Sequence, residues 1–572
     1  MRRRPRRAAV GGLLAAVIFV FVAWAAFDLA RLGLEVRAAR SSVVNLDPGT
    51  IAGPRGIGFI TARAGRRLRH ADELARTSVP LRLVAVTPLG RDQIATLRDA
   101  TGRGHDLGAI AARIGADLQR QVDAGTAGSA NRLALVEVLA GSAGRAAEEA
   151  EALTPLPSRR FTLPPLTWVR STVVEKEAEA TGRLTDSALQ AEALRGLLRG
   201  PRRILVLAAN NAEMLSGGGL VGSIAVAEVR DGAVQLGPFS QSSELVLVNQ
   251  GPVPLTPVQN DLWATMGFGY DYRGITAPSD FQQVGPVAAA MAERIGLGQV
   301  DGVVMVDVVG LQQLVGVTGP IQVDDLLIDA QNTADQLLYQ NYLRFTERAG
   351  AVRDERAELQ GRVGQAVFRA LDERPTDLGQ LSAALRTMVG GRHLMGWSAD
   401  PEEQLLWQRA GAAGVLDTEG LQVSLVNRSG NKLDYHLKPF VAVSSRRAPG
   451  GERRVRLEIT TANLPRSPTS FVIEGTVPTQ QYSDLVTYLP QNASDIITDG
   501  QPFSRSGTEG GMRVMVKPLY LDLGATVTVV TEFTIPSDQP VRVIPSARST
   551  AIPYTVKGRQ TILDDREVEL PL

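Results

Sequence analysis

Hydrophobic and polar positions divide the chain into four stretches of different rhythm. The first is an uncharged run from Ala8 to Phe27, AAVGGLLAAVIFVFVAWAAF, behind Arg2, Arg3, Arg4, Arg6 and Arg7. About 20 such residues make about 30 Å of helix, the thickness of a bilayer's hydrocarbon core, and the arginines favour the cytoplasmic side. The pattern therefore predicts a membrane-spanning helix in residues 1–30, the N-terminus inside and the bulk of the chain extracytoplasmic. The membrane is thus an expected partner through residues 8–27. A cleaved signal peptide is the alternative, since AWAA supplies small residues, but signal cores are usually shorter than this run.

Over residues 31–200, small apolar residues recur every three or four positions with charges between them, as in DLGAIAARIGADLQRQVDAGTA and GSAGRAAEEAEALTPL. That period predicts amphipathic helices packed as a bundle or stalk. The four prolines of PLPSRRFTLPPLTW mark a break or hinge. From Arg202 the rhythm shortens: RRILVLAAN and GSIAVAEVRDGAVQLGPFS read as strands, with a turn at Asp231-Gly232. VDGVVMVDVVGLQQLVGVTGPIQVDD reads as a buried strand, a helix from Val308 and another strand. Strands alternating with helices predict a layered α/β domain over residues 201–418. After Gly420, β-branched and alternating runs separated by Gly, Pro, Asn and Ser predict a C-terminal antiparallel β-sandwich over residues 419–572.

Composition narrows the chemistry. The 61 basic and 60 acidic residues balance, so no global charge favours nucleic acid as a partner. The absence of cysteine excludes disulfides, thiolate metal sites and a cysteine nucleophile. His70, His105, His393 and His436 lie far apart in sequence and read as surface or internally satisfied histidines rather than a metal cluster or catalytic triad.

Polar residues interrupt the α/β stretch at a few places. In LVLAANNAEMLSGGGLVGSIAVAEV, Asn210, Asn211 and Glu213 fall at the expected carboxyl edge of a strand, where open α/β sheets bind ligands. The glycines that follow, Gly218 and Gly219 among them, admit positive φ and close approach of a ligand, with Ser223 beyond. The alternative is a hairpin turn whose asparagines cap their own backbone. Ser243 in FSQSSEL, and Asp271, Arg273 and Asp280 in GYDYRGITAPSDF, occupy other expected strand ends. Asp307 stands inside the apolar VMVDVV, either as a buried acid with a partner or as the N-cap of the next helix.

NNAEMLSGGGLVGS, APSDF, VDGVVMVDVVGLQQLVGVTGPIQV, RHLMGWSADPEEQ and NRSGNKLDYHL together resemble the successive motifs of a bacterial family of membrane-anchored proteins of unknown function, over about residues 200–550. Members of that family usually carry an arginine after the Asn-Asn-Ala-Glu block; here Met214, Leu215 and Ser216 follow it. The strand-helix-strand around Asp307 is more distantly similar to the LytR-CpsA-Psr family, which attaches lipid-linked glycopolymers to the cell wall. That likeness implies a LytR-CpsA-Psr-like fold, and a phosphotransfer using arginines and a divalent metal such as Mg²⁺. Its two arginine blocks would fall on Gly217 to Ser223 and Gly237 to Ser243, neither of which is basic, leaving Arg273 as the candidate substitute. The expectation is a cell-envelope protein that binds or helps handle an envelope polymer or its polyprenyl-linked precursor. The competing readings are a phosphotransferase using Asp271, Asp280 or Asp307 with a metal, and an assembly protein without a catalytic site.

Overall fold

The computed structural model describes residues 28–29, 31–32, 34–38, 56–125, 128–248, 251–344, 352–464, 480–501, 503–556, 559–561 and 565–572. They fall into two compact units.

The first unit, up to residue 196, is helical: α1 (Ile57–Thr77), α2 (Val79–Ala85), α3 (Gly90–Ala124), α4 (Ser129–Glu151) and most of α5 (Pro164–Arg199). Glycine permits the antiparallel contact of α1 with α3. A Cβ on Gly65 would sit 3.0 Å from the Gly108 carbonyl oxygen, and one on Gly115 would overlap Thr61. The small residues that set the helical rhythm are therefore the contact surface. Ser78 caps α2, its hydroxyl accepting from the Leu81 amide while donating to Asp28 at 2.7 Å.

The second unit begins with a mixed sheet in the order β3-β2-β1-β4-β5, built from β1 (Arg202–Leu215), β2 (Gly218–Arg230), β3 (Ala233–Leu236), β4 (Gly302–Asp307) and β5 (Leu394–Ser398). The β1–β4 pair is parallel, while β1–β2 and β4–β5 are antiparallel. Leu205 and Leu207 of β1 and Val303 and Met305 of β4 are fully buried on one face. They share a core with α6 (Phe281–Arg294), whose Gly285 lies directly on Trp397 of β5. The opposite face is covered by α7 (Val308–Thr318) and α8 (Val352–Glu373). Further along come α9 (Leu378–Gly390) and α10 (Pro401–Arg409).

Two six-stranded sheets complete the unit. In chain order their strands are β6 (Gly420–Asn427), β7 (Leu437–Ala448), β8 (Glu452–Asn463), β9 (Gln480–Leu489), β10 (Ser494–Thr498), β11 (Arg505–Glu509), β12 (Met512–Asp522), β13 (Thr526–Pro536), β14 (Val541–Val543), β15 (Tyr554–Val556), β16 (Arg559–Thr561) and β17 (Val568–Leu570). They are ordered β10-β13-β8-β7-β15-β16 and β11-β12-β9-β6-β14-β17. Inward side chains such as Val423, Val443, Leu457, Leu485 and Phe533 form the core of this part. Val486, Tyr488, Val514 and Val516 join the core of the mixed sheet instead, so the boundary expected at residue 418 runs through continuous hydrophobic packing.

The expected fold class and location need correction. Among the described residues, no helix is long and apolar enough to cross a membrane. The long helices α3 and α5 carry charged side chains throughout, and small residues such as Ala100, Gly108 and Gly115 of α3 and Ala191 and Ala193 of α5 are among their buried positions, which suits helix contacts in a bundle and not hydrocarbon. The apolar run 8–27, on which the single-pass and extracytoplasmic assignments rested, lies outside the described residues. The architecture is mixed helix and sheet, with several separate sheets.

Candidate functional site

The Asn-Asn to Gly-Gly-Gly stretch is a hairpin joining β1 and β2. Asn210 pairs with Leu220 and Met214 with Gly219, so Asn211, Ala212 and Glu213 bulge from the ladder without partners on β2. The glycines serve the chain's own packing. A Cβ on Gly217 would sit 2.2 Å from the Pro278 carbonyl oxygen, and one on Gly219 2.3 Å from the Asn210 backbone, while Gly218 holds φ at 144°. Ser216 through Gly219 are buried, and the Gly217 amide already donates to the Thr276 carbonyl at 2.9 Å. The Gly217 amide is therefore not free to cradle an anion.

The bulge turns its polar side chains onto distant segments. Asn210 donates to the Tyr342 hydroxyl at 2.5 Å and accepts from the Ala212 amide at 2.9 Å. Asn211 donates to Asp307 at 2.7 Å and to the Ala547 carbonyl at 2.8 Å, and accepts from the Val308 amide at 3.1 Å. Asp307 is both things its sequence context offered: it caps α7, accepting from Gly310 N at 2.9 Å, and it is a buried acid with partners. Its Oδ2 lies 2.6 Å from His393 Nδ1, and the opposite ring nitrogen, Nε2, lies 2.5 Å from Asp565 Oδ2. Burial works to lower the pKa of His393, but the two carboxylates outweigh it and raise the pKa to about 10, so the ring is an imidazolium donating to both.

A second knot lies beside the first. Glu213 pairs with Lys432, and Asp434 accepts from the Met214 amide at 3.1 Å and from Asn427 at 2.5 Å. Burial pushes the Asp434 pKa up to about 6 although Arg548 and these donors oppose it. NRSGNKLDYHL thus folds onto NNAE across more than 200 residues of chain. A third knot involves APSDF. Asp280 caps α6, its amide donates to Glu509 at 2.7 Å, and Glu509 also accepts from Trp263 Nε1 at 2.8 Å. Burial raises the Glu509 pKa to about 7. Arg392 is buried beside it and donates to the Ser279 carbonyl at 2.5 Å.

The remaining candidates scatter. Arg273 is half exposed and closes on Asp271, Nη2 to Oδ2 at 2.6 Å. Ser223 is buried within β2, opposite Ala208, and Ser243 is exposed on a short turn. Asp271, Asp280 and Asp307 therefore serve three different local structures and do not face one pocket with Arg273. Among the described residues, no group of three or more His, Asp or Glu side chains is placed to hold a metal ion.

Unfilled space lies elsewhere, against the second face of the mixed sheet. A cavity of about 300 Å³ is lined by Ile204, Val206 and Ala208 of β1, Val304 and Val306 of β4, Leu311 and Leu314 of α7, and Val367 and Phe368 of α8. That volume is at the small end of ligand sites, which span roughly 300–1,000 Å³. Its alternate positions on β1 and β4 are half-buried, although both strands are internal to the sheet. Asp307 is the one ionisable side chain in the lining, and its carboxylate is already engaged by Asn211, His393 and Gly310.

Residues 199–342 match the model of a protein family of unknown function, DUF4012. That match covers the mixed sheet through β4, the bulge and Asp307, and agrees with the resemblance to a family of unknown function. No curated protein and no solved structure matches the chain.

The aliphatic and aromatic residues of the cavity lining are the ones sequence reasoning passed over. A usable signal was present: RRILVLAAN is apolar at successive positions on both faces, which requires cover on both sides of the strand.

Proposed function

We propose that this protein binds a lipid-linked envelope precursor, holding part of a polyprenyl-type hydrocarbon chain in the cavity between the mixed sheet and helices α7 and α8. The observation that carries this reading is the cavity: about 300 Å³ enclosed by aliphatic and aromatic side chains. Burying a hydrocarbon there removes apolar area from water on both partners at roughly 25 cal/mol per Å². The lining offers no cation, so a phosphate or diphosphate head group stays outside the cavity and the ligand enters tail first. The role is binding, because the acids and Arg273 on which a phosphotransferase would depend do not converge.

Trp407 lines the cavity and reports on it. Titrating the purified chain with a polyprenyl phosphate is expected to give saturable quenching or enhancement of tryptophan emission. Filling the cavity with Val304→Trp should abolish that saturation while leaving the thermal unfolding midpoint close to wild type. Absence of saturable binding, or unchanged binding by the filled variant, refutes the proposal.

A further inference from the structure

Among the described residues, the helical unit leaves an apolar face exposed at one end. Val79, Leu83 and Val86, spaced four and three residues apart, project from α2 and its extension, and Leu89 follows at the turn into α3. Val86 is 80% and Leu89 79% exposed. The segment between α4 and α5 meets the same turn: the Leu163 amide donates to Gln93 Oε1 at 3.0 Å, the Phe161 amide to Asp92 at 3.3 Å, and Leu166 packs beside Leu81 and Ile94. These contacts bring Phe161 to the first turn of α3, just after Leu89, while Trp168 lies two residues beyond Leu166 on α5; each is 68% exposed. Monomeric proteins rarely leave so many large apolar side chains together in water.

Arginines outnumber acids around this face, where Asp92 is engaged by the Phe161 amide and Asp99 by Arg159. Residues 78–91 contain Arg82 and Arg91, residues 155–172 contain Arg159, Arg160 and Arg170, and neither stretch contains Asp or Glu. Arg159 is paired with Asp99, and Arg170 braces its own loop through the Leu156 and Pro157 carbonyls. Arg82, Arg91 and Arg160 reach solvent. An exposed Phe on the segment before α5 and an exposed Trp in its first turns, with exposed aliphatic side chains and solvent-facing arginines, match the layered chemistry of a lipid interface: acyl boundary, headgroup belt and anionic phosphate.

We propose that this end of the helical unit docks on a lipid surface bearing anionic headgroups, with Leu89, Phe161 and Trp168 entering the headgroup boundary and Arg82, Arg91 and Arg160 meeting the phosphates. The interaction is interfacial and uses the exposed face of the folded helices. It is separate from the cavity of the second unit, so either proposal can fail alone.

The chain has no cysteine, so Leu89→Cys and Asp123→Cys each give one labelling position on the intact protein. Both positions are exposed, and they lie on or beside α3 about 50 Å apart along the helix axis. An environment-sensitive dye at Leu89→Cys is expected to brighten and shift to the blue with vesicles of phosphatidylcholine and phosphatidylglycerol, while the dye at Asp123→Cys stays unchanged. Phe161→Cys supplies a second reporter if the first perturbs the turn. Arg91→Ala and Arg160→Ala should each weaken the response about five-fold. No response at either reporter, or an equal response at Asp123→Cys, overturns the proposal. An equal response to pure phosphatidylcholine that the arginine variants do not alter removes the anionic headgroup from it. A response to an acidic amphipathic peptide but not to vesicles reassigns the face to a protein partner.

Discussion

Strand β1 treats its side chains in opposite ways along its length. At its end, Asn210, Asn211 and Glu213 are polar, buried or nearly so, and engaged by Tyr342, Asp307, Ala547 and Lys432. A few residues earlier, Ile204, Val206 and Ala208 are apolar, yet they face open space. The polar end has the look of a binding site in one dimension, but its hydrogen-bonding capacity is used to tie segments as distant as 211, 307, 393 and 565. The apolar end looks like ordinary core, but its packing is incomplete. Available binding capacity lies where a side chain's demand is unmet by its own protein, and here that is the aliphatic face.

If the polar end is structural, removing its charge should damage folding before anything else. His393→Ala leaves Asp307 and Asp565 without their shared cation and should cost about 4 kcal/mol, read as a lower urea midpoint of the second unit. A small loss would mean that the knot is loosely built and open to a ligand. Gly219→Ala forces a methyl against the Asn210 backbone and should cost about 3 kcal/mol by the same measurement. A tolerated alanine would show that the hairpin has room it does not display.

The pH dependence separates the knots from the rest of the fold. Glu509 and Asp434 hold their protons more tightly when folded, so stability falls as pH rises from the ordinary carboxyl range through about 6 for Asp434 and about 7 for Glu509. His393 contributes stability that is complete below its ordinary value near 6.5 and is lost as pH climbs toward about 10. Both effects run the same way. Asp499 and Glu532, held low by Lys517 and by the arginines Arg456 and Arg454, have contributed fully by pH 5. Unfolding followed from pH 5 to pH 7 should therefore show a loss of about 4 kcal/mol, and Glu509→Gln should remove about half of it. The smallest effect belongs to Arg273→Ala. Its half-exposed pair with Asp271 should contribute no more than about 0.5 kcal/mol, and the variant should leave polyprenyl phosphate binding unchanged. A large loss of binding would put Arg273 back at the ligand.

Some of this organisation was legible in the pattern of residues. The three-to-four-residue spacing of Ala and Gly in α1 and α3 marked the helices, because small side chains at that period make one contact face. Asp307 was legible as a cap or as a buried acid because it stands between an apolar strand and a helix, and both descriptions hold. The glycines after Asn211 were legible as positions needing close approach, but what approaches them is Pro278 and Asn210 rather than a ligand. His393 gave no local signal of its two aspartates, since 86 residues separate it from one and 172 from the other.

Local order, then, was written along the chain: the period of apolar residues selects helix or strand, and turn residues end each element, because these preferences act between near neighbours. Which distant polar groups would meet, and which valines would be left facing a void, depended on how helices and sheets stack. Hydrogen bonds between residues hundreds of positions apart, and the volume left between packed layers, are properties of three-dimensional closure and have no counterpart in sequence spacing.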